Sequence, residues 1–171
     1  MMTESQQYTP GPASAVELRK GEEKWTFILV RELHHPPEKV WKAITDPAHL
    51  REWAPYDADR SLGHAGTVKL TWLGAPGPMD VAVTRAEGPK VLEIGDFRWE
   101  LEPNAGGTRL TLLANIDRRY VATGAAGWHI CLDVLEHALD GVPIARIAGP
   151  EAVKFEGWQR LRKEYAAQFG V

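Results

Sequence analysis

Two short helices meet in the stretch Val40-Trp41-Lys42-Ala43-Ile44-Thr45-Asp46-Pro47-Ala48-His49-Leu50-Arg51-Glu52-Trp53. Just before it, Pro36 and Pro37 stop a strand and pre-set the first turn of a helix from Glu38 to Thr45, whose Val40, Trp41 and Ile44 share one face. Pro47 ends that helix and opens the next, Ala48 to Trp53, with Asp46 as its N-cap. Upstream, Val16 to Lys20 and Lys24 to Leu33 read as strands joined by a turn at Gly21. In the longer strand Trp25, Phe27 and Leu29 alternate with Thr26, Ile28 and Val30, so both faces are largely apolar and the strand is expected to be covered on each side. Met1 to Ser14, with its Pro, Gly, Ser and Gln, reads as a mobile tail ahead of one domain over residues 15–171.

Downstream the period becomes two. Val68, Leu70 and Trp72 alternate with Lys69, Thr71 and Leu73, and Met79, Val81 and Val83 with Asp80, Ala82 and Thr84. Further strands are expected at Val91 to Ile94, Phe97 to Glu102 and Thr108 to Asn115, separated by Gly- and Pro-rich turns. Phe97, Trp99 and Leu101 point one way and Arg98, Glu100 and Glu102 the other, the mark of an antiparallel sheet with one face inward and one in water. The period then changes to helical, with Trp128, Cys131, Leu132, Leu135 and Leu139 forming a stripe that Gly141 and Pro143 close. A linker from Ile144 to Pro150 leads to a last helix, Ala152 to Phe169. This order of elements is an α+β plan in which one curved antiparallel sheet wraps a helix.

With 171 residues, 44% hydrophobic and 25% charged, the chain has the composition of one ordinary globular domain. Its 23 acidic and 20 basic side chains and pI near 6.1 give no electrostatic footprint for nucleic acid or an anionic membrane. No apolar run is long enough to span a bilayer. One cysteine excludes an internal disulfide and a cysteine-built zinc site, and together with the polar N-terminal residues it points to the cytoplasm.

Chemistry-bearing motifs are sparse. The three serines, Ser5, Ser14 and Ser61, sit in no nucleophile elbow, and there is neither a P-loop nor a dinucleotide-binding glycine fingerprint. Cys131 lies on an apolar stripe and reads as a buried structural thiol. His129, Asp133, Glu136 and His137 share a helix, where they form either a solvated face or an acid-base cluster, without the spacing of a zinc motif. His34 and His35 read as surface residues at a strand end, and Asp57 and Asp59 as carboxylates solvated beside Arg60 or as a catalytic pair. No metal or cofactor is expected. The compositional oddity is seven tryptophans beside four phenylalanines and four tyrosines. Trp41 reads as core, Trp25 and Trp158 as staples of the first strand and last helix, and Trp53 with Tyr56, Trp72, Trp99 and Trp128 either as core or as the lining of a pocket.

The stretch from Val40 to Trp53 resembles the V-W-x-A-[LI]-T-D-P-x-x-L-x-x-W signature of SRPBCC (START-like) proteins, in the branch named after the activator of the 90-kilodalton heat-shock-protein ATPase. Gly106-Gly107-Thr108-Arg109-Leu110-Thr111-Leu112 is similar to that branch's penultimate hairpin, and Gly127-Trp128-His129-Ile130-Cys131-Leu132-Asp133-Val134-Leu135 to the start of its C-terminal helix. In order, these matches extend the resemblance from about Trp25 to Phe169. It implies a helix-grip fold, a curved antiparallel sheet around a long C-terminal helix with a hydrophobic cavity between them. Members bind lipids, hormones or polyketides, and a minority are cyclases or dehydratases. The linker from Ile144 to Pro150 departs from the single long helix of many such domains. The implied function is binding of a hydrophobic or aromatic small molecule, with Trp53, Tyr56, Trp72, Met79, Trp99, Trp128, His129 and Leu132 as candidate pocket residues. The alternatives are a cyclase- or dehydratase-type enzyme using His129 with Asp133, or Asp57 with Asp59, and an interaction module that forms a homodimer or meets a chaperone.

Overall fold

Alternation of apolar and polar residues lays down eight strands: β1 (Glu17–Lys20), β2 (Lys24–Leu33), β3 (Tyr56–Ala58), β4 (Gly66–Trp72), β5 (Met79–Glu87), β6 (Val91–Ile94), β7 (Phe97–Asn104) and β8 (Gly107–Asp117). The computed structural model describes residues 8–171, so Met1 to Gln7 of the expected tail lie outside the described residues. The strands form one antiparallel sheet in the order β1-β2-β8-β7-β6-β5-β4-β3. Its centre is the ten-residue pairing of β2 with β8, from Lys24 opposite Asp117 to Leu33 opposite Thr108. A register shift between Val83 and Arg85 in β5 bends the sheet.

Helix α1 (Pro37–Thr45) and helix α2 (Pro47–Trp53) follow β2, each with proline in its first turn. The Asp46 carboxylate accepts from the Ala48 N–H at 2.9 Å, the cap the sequence predicts. Trp53 Nε1 donates to the Ala43 carbonyl at 2.9 Å and ties the two helices together. The main helix, α3 (Val121–Leu139), crosses the concave face of the sheet. It starts seven residues before the Trp128 stripe, because Val-Ala-Thr-Gly-Ala-Ala-Gly has no large side chains to make a stripe. Beyond it lie the short α4 (Pro150–Lys154) and α5 (Glu156–Phe169), with Trp158, Leu161, Tyr165 and Phe169 of α5 buried. Phe155, extended between α4 and α5, divides the expected single last helix in two.

Burial follows strand parity. Phe27, Leu29, Leu33, Leu70, Val83, Trp99, Leu101, Leu110 and Leu112 are buried on the inward face. The convex face is open to water, and Val30 on it is 50% exposed, so β2 is covered on one side rather than two. Charged convex residues make ion pairs across strands, such as Lys69 with Asp80 at 2.9 Å and Arg109 with Glu32 at 2.6 Å.

One charge does face inward. Arg31 of β2 reaches Asp133 of α3 at 2.7 Å and Glu136 at 3.4 Å, and donates to the His129 carbonyl at 3.2 Å. The Tyr8 hydroxyl also bonds Asp133, and the His129 ring meets the Tyr165 hydroxyl at 2.7 Å. Residues 8–16 run beside this network. The Ala13 and Ser14 amides donate to Glu164 at 2.8 Å and to the Tyr165 hydroxyl at 3.1 Å, and Arg160 donates to the Pro10 carbonyl at 2.7 Å.

Two outcomes follow. Asp46→Ala removes the α2 cap and is expected to cost about 1 kcal/mol, read as a lower urea midpoint. Burial holds the His129 imidazole below its ordinary pKa, against the pull of Asp133. The unfolded chain therefore takes up that proton first, and stability falls as the pH drops below about 6.5 until the folded-state value is passed. Glu136, whose carboxyl burial pushes up, acts in the opposite sense in more acid solution. Tm measured from about pH 7 to pH 5 should decline less steeply in His129→Gln than in the parent.

Candidate functional site

Between the first half of α3, the sheet and residues 147–153 lies a cleft of about 500 Å³ that opens to solvent. The small residues of α3 create it. At Gly124 the helix backbone comes so close to β8 that a Cβ would meet Ile116 Cδ1 at 2.6 Å. At Gly127, one turn on, the nearest atom to such a Cβ is Trp158 Nε1 at 3.9 Å. The sheet side of the cleft is Trp72, Phe97 and Ile116, the helix side is Thr123, Gly127, Trp128 and Cys131, and Trp158 of α5 also lines it. Ile147, Ala148, Gly149, Pro150, Ala152 and Val153 supply a further wall, and Pro55 lines it with Leu73 and Gly74. No lining side chain carries a formal charge. The polar lining side chains are the Thr123 hydroxyl, the Cys131 thiol and the tryptophan N–H groups, and burial pushes the thiol up to about 12, so it stays neutral at physiological pH.

Beneath the cleft is an aromatic cluster with Trp128 at its hub. Trp128 meets Phe97 at 5.4 Å, Trp99 at 5.5 Å, Tyr56 at 6.1 Å and Trp53 at 6.4 Å between ring centroids, at steep interplanar angles. Trp72 continues it, 5.0 Å from Tyr56 and 5.9 Å from Phe97. The Tyr56 hydroxyl and Trp99 Nε1 are buried without a hydrogen-bond partner among the described residues.

Of the candidate pocket residues, the structure brings Trp72 and Trp128 to the cleft. Trp53, Tyr56, Trp99 and Leu132 are buried in the core around it. Met79, at the start of β5, is 54% exposed and lines no part of the cleft. His129 belongs to the network with Tyr165 and Asp133. Asp57 pairs with Arg146 at 3.0 Å and Asp59 accepts from the Lys69 amide at 2.9 Å, so neither carboxylate reaches the cleft. His35 pairs with Asp140 at 2.7 Å, and among the described residues no three His, Cys, Asp or Glu side chains are grouped to hold a metal.

Residues missed from the sequence are Gly124, Gly127, Phe97, Trp158 and the 147–153 wall. The legible signal was the run of small residues from 122 to 127 on a helix facing a sheet. Trp158, read as a staple, is both buried and part of the lining.

Among curated proteins none matches the chain. Solved structures do. A conserved protein of unknown function, EF2215 from Enterococcus faecalis, is 19% identical with a TM-score of 0.71, each chain being covered over 91%. CalU16 from Micromonospora echinospora is 23% identical with a TM-score of 0.66, over 91% of this chain and 98% of that one. The AHSA1-like protein from Aeromonas hydrophila is 18% identical with a TM-score of 0.53, over 68% of this chain and 92% of that one. These likenesses share the sheet and helix described above. No helix among the described residues is long and apolar enough to cross a membrane. Residues 34–140 match the family model described as Activator of Hsp90 ATPase homolog 1-like protein, and with the helix-grip architecture in place the chain belongs to that family.

Proposed function

We propose that this protein binds an uncharged, largely aromatic small molecule in the cleft between the sheet, the first half of α3 and residues 147–153. The observation that carries this reading is a cleft of about 500 Å³ lined by Trp72, Phe97, Trp128 and Trp158 without one formally charged side chain. That volume is in the range of small-molecule sites, and apolar walls with a few hydrogen-bonding groups are their usual chemistry. An acid-base mechanism has less support, because His129, Asp133, Asp57 and Asp59 are all engaged away from the cleft lining. The exposed large apolar side chains, such as Val30, Met79, Tyr120 and Val153, are spread over different elements, which favours a small ligand over a broad docking surface.

The test is a titration with 1-aminoanthracene, followed by its own emission and by tryptophan quenching. One saturable site is expected. Anthracene-1-carboxylate should bind at least about tenfold more weakly, because its carboxylate loses water without gaining a cationic partner. Gly127→Leu sends a side chain into the cleft from a position where a Cβ has room, and it favours the helix by about 1 kcal/mol. This variant should fold and lose the probe. Probe-binding Gly127→Leu, or a parent protein with no saturable site, would overturn the reading.

A further inference from the structure

We propose that residues 143–155 form a lid over the cleft and that Arg146 is the latch that sets how often it opens. The proposal rests on the binding reading only for its consequence in ligand exchange, since opening can be measured by itself.

The lid is a wall of the cleft, through Ile147, Ala148, Gly149, Pro150, Ala152 and Val153. Yet its backbone is held by little. From Pro143 to Ala148 no backbone–backbone hydrogen bond is made among the described residues, and α4 has only five residues. Arg146 takes the place of a ladder. Its side chain, 17% exposed, donates from Nε to the Ala54 carbonyl at 2.6 Å and from Nη2 to the Tyr56 carbonyl at 2.9 Å, and pairs through Nη1 with Asp57 at 3.0 Å. These partners flank Pro55, which lines the cleft, so the latch joins the lid to a fixed wall.

The ends of the segment are built to turn. Gly141, just before it, is left-handed with φ of +78°, and Phe155 is extended between α4 and α5. Inside the lid, Gly149 has φ of +61°, and a Cβ there would meet the Leu73 carbonyl oxygen at 2.5 Å, so the closed seat requires glycine. Beneath the lid, Cys131 Sγ lies 3.9 Å from the Ile147 carbonyl. When the open form is a minority, loosening the latch multiplies the open fraction while the closed form still dominates, so rates change far more than affinity does.

Cys131 is the single cysteine, and although it lines the cleft it is only 3% exposed with Ile147 of the lid against its Sγ, so its labelling reports displacement of that wall. The reagent is uncharged 4,4′-dithiodipyridine. Arg146→Ala removes two charge-assisted hydrogen bonds to carbonyls and one ion pair, and should speed labelling by about tenfold or more. That rate should be independent of urea well below the unfolding transition, which separates local opening from global unfolding. Arg146→Lys should fall between the two, and Asp57→Asn, which loses one contact, should raise the rate by about threefold, a direction that survives if Arg146→Ala does not fold. Labelling that is unchanged in the folded variants, or that tracks urea as global unfolding does, overturns the lid. With saturating 1-aminoanthracene, Cys131 of the parent should be protected, and Arg146→Ala should bind and release the probe faster with similar affinity. A parent protein that does not bind the probe defeats the binding reading and leaves the labelling series to decide the lid.

Discussion

Trp128 is the spacer on which the grip depends. A helix laid in a concave sheet touches it only through side chains, and the distance between them is set by whatever fills the middle. Here the filler is one indole packed at steep angles against Trp53, Tyr56, Phe97 and Trp99, which come from α2, β3 and β7. Each such ring buries about 150 to 250 Å², and edge-to-face contact adds to that burial. With the centre occupied, the unfilled space moves toward the glycine-rich beginning of α3. Core and cleft are therefore two results of the same packing, with Trp128 forming the roof of one and the floor of the other.

The opposite side of α3 is held by charge. Arg31 occupies an inward position of β2 where the alternation calls for an apolar residue, and it is tolerated because Asp133, Glu136 and a helix carbonyl all meet it. The side chains of Arg31 and Asp133 are only 13% and 17% exposed. Such a pair adds less to stability than its distance suggests, since both ions surrender water, but losing one partner would leave the other stranded. It ties α3 to β2 at three points along one face of the helix, at Asp133, Glu136 and the His129 carbonyl.

Much of this was legible in the chain. The Pro36-Pro37 pair, Pro47 and Asp46 placed α1 and α2, and strand parity gave the inward faces of β4 and β7. What was not legible has physical causes. The first two turns of α3 hide because a helix made of Ala and Gly carries no amphipathic stripe, and the cleft hides with them, since a periodicity records side chains rather than their absence. Backbone groups of residues 10–14 are bonded by Arg160, Glu164, Tyr165 and Gln168 of a helix about 150 positions later, a match that pattern reading within a window does not contain. Trp53 and Trp99 were equally consistent with core and pocket, because tryptophan serves both, and their complete burial separates them from the half-buried Trp72 that lines the cleft.

The sheet is open rather than closed, so two strands have a side with no neighbouring strand, and such sides are templates for self-association. Both are blunt. β1 is four residues long, Glu-Leu-Arg-Lys, with charge at three of its four positions, and β3 has three residues. At β3 the guanidinium of Arg146 occupies the Tyr56 carbonyl, and its pairing with Asp57 keeps a charged group along the rim. Each edge strand is thereby a short, charged and partly occupied template, poorly suited to adding a further strand.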